Sequence, residues 1–213
     1  MVKSIFCLGS IFKNVLSPVI RLDVVKETPV KQMVNIQQKD EKFVVSQESW
    51  LENRDFLMSL VSERDTEILR RVYGFEHTTL RGNAHWGLGI VTGDNDKYLS
   101  EAAGGGMESV LTGKDINPFF YSKPGKYIRF TPDKFQQTAP EWKYRAKEKL
   151  IYKFISKFPV VCYDDSTSLT LNSANIVIPD FDYNIKVILA LFNSSLYRFI
   201  YLKKFSSIKV LRG

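Results

Sequence analysis

Apolar residues recur at two different spacings along this chain, and the change of spacing divides it. Near the start they form short runs rich in β-branched and aromatic residues, Ser4-Ile-Phe-Cys-Leu-Gly9 and Pro18-Val-Ile-Arg-Leu-Asp-Val-Val25. In the second run Ile20, Leu22 and Val24 alternate with polar neighbours, the period-two pattern of a half-buried strand. A weaker third run covers Val30 to Ile36. Two strands with no helix before them cannot close a core by themselves. The spacing turns helical from about Ser46, where Trp50, Leu51, Leu57, Leu60 and Val61 follow the strand-like Phe43-Val-Val45. Ser62-Glu-Arg-Asp65 has the form of a capping box, Ile68, Leu69, Val72 and Tyr73 supply an apolar face, and Gly74 stands at the expected stop. The pattern predicts a helical connector over 47–74.

Beyond Trp86 the pattern is mainly that of strands, punctuated by glycine and proline. Lys126-Tyr-Ile-Arg-Phe130 is a strand, and Ala139 to Lys149 a helix opened by Pro140-Glu141. Leu150–Ser156, Val160–Tyr163, Leu169–Leu171 and Ala174–Ile178 are four strands whose close spacing predicts an antiparallel sheet. A long helix follows, capped by Asp182, with Ile185, Ile188, Leu189, Phe192, Leu196, Phe199 and Ile200 forming one core-facing stripe. The expected class is therefore α+β: a mainly antiparallel β region with a long C-terminal helix, preceded by a helical linker and a β-strand pair. The expected divisions are 1–46, 47–84 and 85–213.

At 213 residues the chain can bury a substantial core. No uninterrupted apolar span of about 18 residues occurs, so no membrane partner is expected. The opening Met1-Val-Lys-Ser-Ile-Phe-Cys-Leu8 breaks at Gly9-Ser10 without the small-residue site of a signal peptide. Cys7 and Cys162 each sit in an apolar run, as buried free thiols do, and a reducing cytoplasm is expected. The net charge of +7 changes the picture more, because it is unevenly placed. Residues 1–100 hold 13 Lys/Arg against 13 Asp/Glu, and residues 101–213 hold 17 against 10. Basic charge gathered in one half is the footprint of a surface that meets a polyanion.

Two short apolar runs each deliver a Thr-Gly turn followed by polar or basic residues: Gly89-Ile-Val-Thr-Gly93, then Asp94, Asn95 and Lys97, and Val110-Leu-Thr-Gly-Lys-Asp-Ile116. Glycine permits a close backbone approach, and threonine can satisfy the turn's own amides. Such turns serve either as a reading edge or simply as strand ends, and local pattern leaves both open. Lys143, Arg145, Lys147, Lys149, Lys153 and Lys157 cluster with Trp142, Tyr144, Tyr152, Phe154 and Phe158, with Glu148 opposing them. Lysine and arginine contacts to phosphate supply most nucleic-acid affinity, so this cluster reads as a nucleic-acid-facing patch. Alternation along 150–156 requires Lys153 to lie at an edge or reach outward.

Other chemistry is sparse. His77 and His85 have no cysteine, histidine or carboxylate at metal-ligand spacing, so no metal site is expected. Gly104-Gly-Gly106 lacks the lysine–serine pair and helix start of a phosphate loop. Asp164-Asp165 could serve a metal-dependent nuclease, although adjacent residues on a turn point apart. Asn117-Pro-Phe-Phe120 has the outline of the Asn-Pro-Pro-aromatic signature of amino-methyltransferases, but lacks its second proline and reads as a turn into a strand.

Taken together, several stretches resemble the TaqI-like C-terminal specificity domain of N6-adenine DNA methyltransferases and fused restriction–modification enzymes. They are Gly89-Ile-Val-Thr-Gly-Asp-Asn-Asp-Lys-Tyr98, Val110–Ile116, Lys149-Leu-Ile-Tyr-Lys-Phe-Ile155 with Val161-Cys-Tyr-Asp164, Leu189-Ala-Leu-Phe-Asn-Ser194 and Tyr201-Leu-Lys-Lys-Phe205. In order and spacing they cover 85–213. Ser4–Phe12 and Ser17–Val25 resemble the closing strand pair of the methyltransferase catalytic domain. The resemblance implies a fragment that selects the DNA sequence to be methylated and has no catalytic residues of its own. The S-adenosylmethionine pocket would lie in a missing N-terminal methyltransferase domain, so no cofactor is expected here. Double-stranded DNA and that domain are the implied partners. By motif match, Thr92, Gly93, Asn95 and Lys97 on the first turn and Thr112, Gly113 and Lys114 on the second would touch DNA; Arg129, Lys143, Arg145, Lys153, Lys203, Lys204 and Lys209 join them on charge. Competing readings are a nuclease using Asp164 and Asp165, and a protein-interaction domain with a basic face.

Overall fold

The runs with period-two alternation pair as strands, in two compact units. The first holds residues 1–77 and takes in Lys203 and Lys204; the second holds residues 78–202. The computed structural model describes residues 1–13, 17–26, 33–38, 40–51, 58 and 60–205, with the backbone alone at 51 and 205.

In the first unit β1 (Val2–Gly9), β2 (Val19–Val24), β3 (Met33–Gln38) and β4 (Glu41–Ser46) form one sheet in the order β2-β1-β3-β4. The strand pair therefore does not stand alone. β1 runs antiparallel to β2 and parallel to β3, which runs antiparallel to β4. The weak third run supplies an inner strand because Val34 and Ile36 point into a core with Ile5, Val45 and Trp50, while Asn35 between them stays exposed. Trp50 is carried by the single turn α1 (Glu48–Leu51). Of the rest of the helical reading over 46–62, residues 52–57, Leu57 among them, and residue 59 lie outside the described residues, as does Val30 of the third run; Met58, Leu60 and Val61 are described and are not helical, and Leu60 packs against the sheet's core instead. The capping box holds: the Asp65 amide donates to Ser62 Oγ at 3.3 Å and opens α2 (Glu63–Tyr73). Gly74 ends the helix through its amide, which donates to the Arg70 and Arg71 carbonyls, and it does so in the right-handed region (φ −74°).

The second unit begins seven residues before the expected boundary at 85. One of its sheets has the order β10-β9-β12-β5, from β5 (Ala84–Gly87), β9 (Lys149–Lys153), β10 (Val161–Asp164) and β12 (Ala174–Pro179), all antiparallel. Its apolar residues run consecutively because both faces are covered. Leu150, Val161 and Val177 meet Ile188 and Leu189 of α5 (Ile185–Phe192), and Ile151, Cys162 and Ala174 meet Leu111 and Ile116 on the other side. Burial there pushes the Cys162 thiol up to about 12. The second sheet, β11-β7-β8-β6, joins β6 (Leu99–Ser100), β7 (Glu108–Leu111), β8 (Lys126–Ile128) and β11 (Leu169–Thr170). Here β11 runs parallel to β7, which departs from the expected all-antiparallel pairing of the four short strands.

Two helices differ from their patterns. The helix expected over 139–149 is the single turn α4 (Glu141–Tyr144), because Tyr144 turns inward and is wholly buried. Its hydroxyl accepts from the Ala139 amide at 3.0 Å and donates to the Leu88 carbonyl at 2.8 Å, and Lys149 already starts β9. The long C-terminal helix is two: α5 and α6 (Ser195–Ile200), bent by 52°, with a π-turn over Tyr201–Phe205. Asn193 forces the break by using its side chain on β10, donating to the Val161 carbonyl at 2.8 Å and accepting from the Val161 amide at 3.2 Å. Ser194 then caps α6, and Asn184, in place of Asp182, caps α5. No single helix among the described residues is long and apolar enough to cross a membrane.

Candidate nucleic-acid interface

The two Thr-Gly turns meet on one edge of the second unit, brought there by strands that sequence spacing alone does not pair. Leu169 and Thr170 of β11 lie beside Val110 and Leu111 in parallel, and Ile90 bridges Leu171 in parallel on the other side. Three extended segments thus run the same way, with β11 in the middle. Their ends deliver Thr92-Gly93, Asn172-Ser173 and Thr112-Gly113 together, the outer two about 10 Å apart at ordinary strand spacing. Gly89 and Gly113 allow this packing. A Cβ on Gly89 would sit 2.1 Å from the Leu171 carbonyl oxygen, and one on Gly113 would sit 2.7 Å from that of Ser173. Gly93 instead supplies a left-handed φ of 82°.

The threonines turn inward to close their own loops. Thr92 is buried and its hydroxyl donates to Asn95 Oδ1 at 2.7 Å; Asp94 accepts from the Lys97 amide and caps the one-turn helix α3 (Asn95–Tyr98). The Thr112 hydroxyl and amide both donate to Asp115 Oδ2, at 2.8 and 2.7 Å, while the Gly113 amide donates to Ser173 Oγ at 2.9 Å. Thr92, Thr112 and the Gly113 amide therefore shape the edge, and the exposed side chains of Asn95, Lys97 and Lys114 are what it presents. Lys153 joins them. It ends β9 opposite Ala174, and the next amide, of Phe154, donates to the Ser173 carbonyl at 3.0 Å, so the β9–β10 hairpin with exposed Lys157 stands beside the second turn.

The other charge-based candidates are engaged elsewhere. Lys143 Nζ donates to the Trp86 carbonyl at 2.6 Å. Arg145 forks onto Glu108 and also reaches Glu141 at 3.2 Å; the Glu108 carboxylate, opposed only in part by burial, raises its already high pKa. Arg129 is exposed but donates to the Gly105 carbonyl at 2.7 Å, which fixes the triple-glycine loop. Lys203 pairs with Asp65 at 2.5 Å and Lys204 lies 3.7 Å over the Tyr73 ring, both within the first unit. Lys209 lies outside the described residues.

Lys149 leaves the basic cluster altogether. It is wholly buried, with its ammonium 2.5 Å from Asp164 and 2.7 Å from the Tyr144 carbonyl. Ser168 donates to the same carboxylate from its hydroxyl and its amide, at 2.7 and 3.1 Å. Burial alone would raise the Asp164 carboxyl, but Lys149 and Ser168 together outweigh it and hold the group below its ordinary range. A carboxylate so enclosed cannot join Asp165, which is exposed, at a metal ion. Sequence reasoning missed Ser173, whose role exists only through the parallel pairing, and the exposed rings of Phe119 and Phe120, whose one signal was the Asn117-Pro118 turn.

Against this geometry the comparisons with known proteins are specific. Residues 108–211 match the model of the TaqI-like C-terminal specificity domain. That part of the chain is a TaqI-like specificity domain. The match begins at the first residue of β7, so the Thr112-Gly-Lys114 turn and the β9–β10 hairpin lie inside the domain and the Thr92–Lys97 turn precedes it. The chain is 36% identical over 110 residues to the type II methyltransferase M.VspI of Vibrio sp. (strain 343), which covers 51% of this chain and 27% of that protein. It thus spans about a quarter of that relative's length. Among solved structures, the HsdS subunit from Thermoanaerobacter tengcongensis aligns with a TM-score of 0.41 at 13% identity over 69% of this chain and 36% of its own. The type IIL restriction–modification enzyme MmeI in complex with DNA aligns at 0.49 and 8% identity over 91% of this chain and 31% of its own. Neither structural likeness is close enough to carry weight beside the TaqI-like match.

Proposed function

We propose that this chain is the DNA target-recognition part of a site-specific adenine-N6 DNA methyltransferase or fused restriction–modification enzyme, and that the edge built by the Thr-Gly turns and the β9–β10 hairpin faces duplex DNA. The observation that carries the reading is a coincidence of place: the TaqI-like match contains β7, β9, β10 and β11, which assemble most of that edge. Lys97, Lys114, Lys153 and Lys157 are compact charges suited to phosphate, and each phosphate they neutralise releases counterions. Asn95 and Asn172 are exposed amides on the same edge, the side chain that reads adenine in the major groove.

Under this reading the methyl transfer, its S-adenosylmethionine and the domain that binds it belong to the parent enzyme, in the cytoplasm.

Anisotropy titration of the whole chain against a labelled duplex pool, with heparin as competitor, tests the proposal. Alone, the chain should bind duplex at roughly 10⁻⁴ to 10⁻⁶ M in physiological salt, since the non-specific electrostatic contribution remains without the catalytic half of the enzyme. Equal preference for heparin would favour a general basic face that meets acidic partners. Added magnesium should leave the duplex intact, and cleavage would overturn the assignment in favour of a nuclease.

A further inference from the structure

The turn Asn117-Pro-Phe-Phe120 carries two features that work against stability. Phe119 holds φ at +77°, a region that glycine or asparagine enters easily and a phenylalanine enters only under constraint. The constraint is visible. The Asn117 amide donates to the Phe120 carbonyl at 2.9 Å, its side chain donates to the Asp115 carbonyl and Ser122 Oγ, and the Phe119 amide donates to the Val161 carbonyl at 2.9 Å. That framework does not serve to bury the rings, because Phe119 is 52% exposed and Phe120 61%.

The turn is strapped to the first residues of β10, beside the hairpin whose far side exposes Phe154 (61%) and Ile155 (65%). Two exposed large apolar side chains therefore lie on each side of the start of β10, Phe119 and Phe120 through the Val161 carbonyl and Phe154 and Ile155 next to Lys153, whose amide donates to the Val160 carbonyl. Lys114 precedes the turn by three residues, and Lys153 and Lys157 flank the hairpin pair. An apolar protein partner would cover the rings at the expense of desolvating those ammonium groups. A nucleic acid satisfies both, because base faces are apolar and the phosphates beside them are anionic.

Resting on the reading that this edge faces DNA, we propose that Phe119, Phe120, Phe154 and Ile155 form an apolar wedge that packs against base faces of the duplex and opens a base step, with Lys114, Lys153 and Lys157 holding the flanking phosphates. Side chains of this kind inserted at a step unstack it and bend the helix. Aromatic rings stack on any base, so the contact is tolerant of sequence.

The test uses the whole chain, duplexes carrying 2-aminopurine at successive positions, and the variants Phe119→Asn and Phe119→Tyr. Wild-type binding should raise 2-aminopurine fluorescence at one step, which reports unstacking. Phe119→Asn accepts the left-handed φ, so its Tm should be unchanged or a few degrees higher, while duplex affinity falls by about tenfold and the fluorescence rise is lost. Phe119→Tyr should keep both. Unaltered affinity and fluorescence in Phe119→Asn would overturn the wedge while leaving DNA recognition standing. A wild-type chain that binds no duplex would overturn the DNA reading and the wedge with it.

Discussion

Lys149 shows how far a residue's role can depart from its place in the sequence. It stands in the middle of the basic cluster, yet burial lowers its pKa and it serves a carboxylate inside the core. Removing one partner of such a pair strands the other, so Lys149→Met or Asp164→Asn should each cost about 3–5 kcal/mol in chemical denaturation. Replacing both by apolar residues of similar size should cost less than the two losses added. Asp164 also sets an acid limit. Its folded pKa lies below its unfolded value of about 3.9, so its contribution is complete well above that pH and is lost as pH falls through the folded pKa. Acid titration of stability should show this loss in the wild type and lack it in the double variant. Nothing local marked Lys149 as buried, because its partner lies fifteen residues away on the next strand. The Thr-Gly turns, by contrast, were legible as turns, and their chemistry was half legible. The glycines are required, as a Gly89→Ala variant should show by losing about 1–3 kcal/mol or more as its Cβ meets the Leu171 carbonyl. The threonines close loops, and the lysines are left to bind.

Among elements, those set by near neighbours matched the sequence best. The Ser62 capping box, the β1–β2 pair and the β9–β10 hairpin depend on residues close in the chain, so period and turn chemistry sufficed. Elements decided by distant partners did not yield to that reasoning. β3 joins β1 in parallel on the side away from β2, β11 fits between β7 and the Gly89–Thr92 segment, and the C-terminal helix breaks where Asn193 finds the backbone of β10. The apolar stripe runs on through 185–200 because both helices are amphipathic, which hides the break from any reading of period alone. Asn193→Ala should therefore cost about 1–3 kcal/mol, since the Val161 amide and carbonyl lose their side-chain partner, and Ser194→Ala about 1 kcal/mol by removing the α6 cap. If Asn193→Ala were neutral in thermal unfolding, the break would have to be set elsewhere.

Over the whole molecule, the charge asymmetry read from the sequence marks the TaqI-like half, but the surface that carries it is narrower than composition suggested. Lys143, Arg145 and Lys149 have partners inside the second unit, and Lys203 and Lys204 have theirs inside the first. Lys97, Lys114, Lys153 and Lys157 remain around the strand ends. Calorimetry of the chain with S-adenosylmethionine should show no micromolar binding, and binding at that level would contradict the view that methyl transfer resides in the rest of the parent enzyme. The most direct measurement is the salt dependence of duplex binding by the wild type and by the variant with alanine at positions 97, 114, 153 and 157. If these lysines neutralise phosphates, the log–log slope should become less negative by about 0.9 for each, or roughly 3.6 in all, while Lys143→Ala leaves it unchanged. A slope that is the same in the fourfold variant, or that falls equally in Lys143→Ala, would contradict the assignment of this edge as the DNA-binding surface.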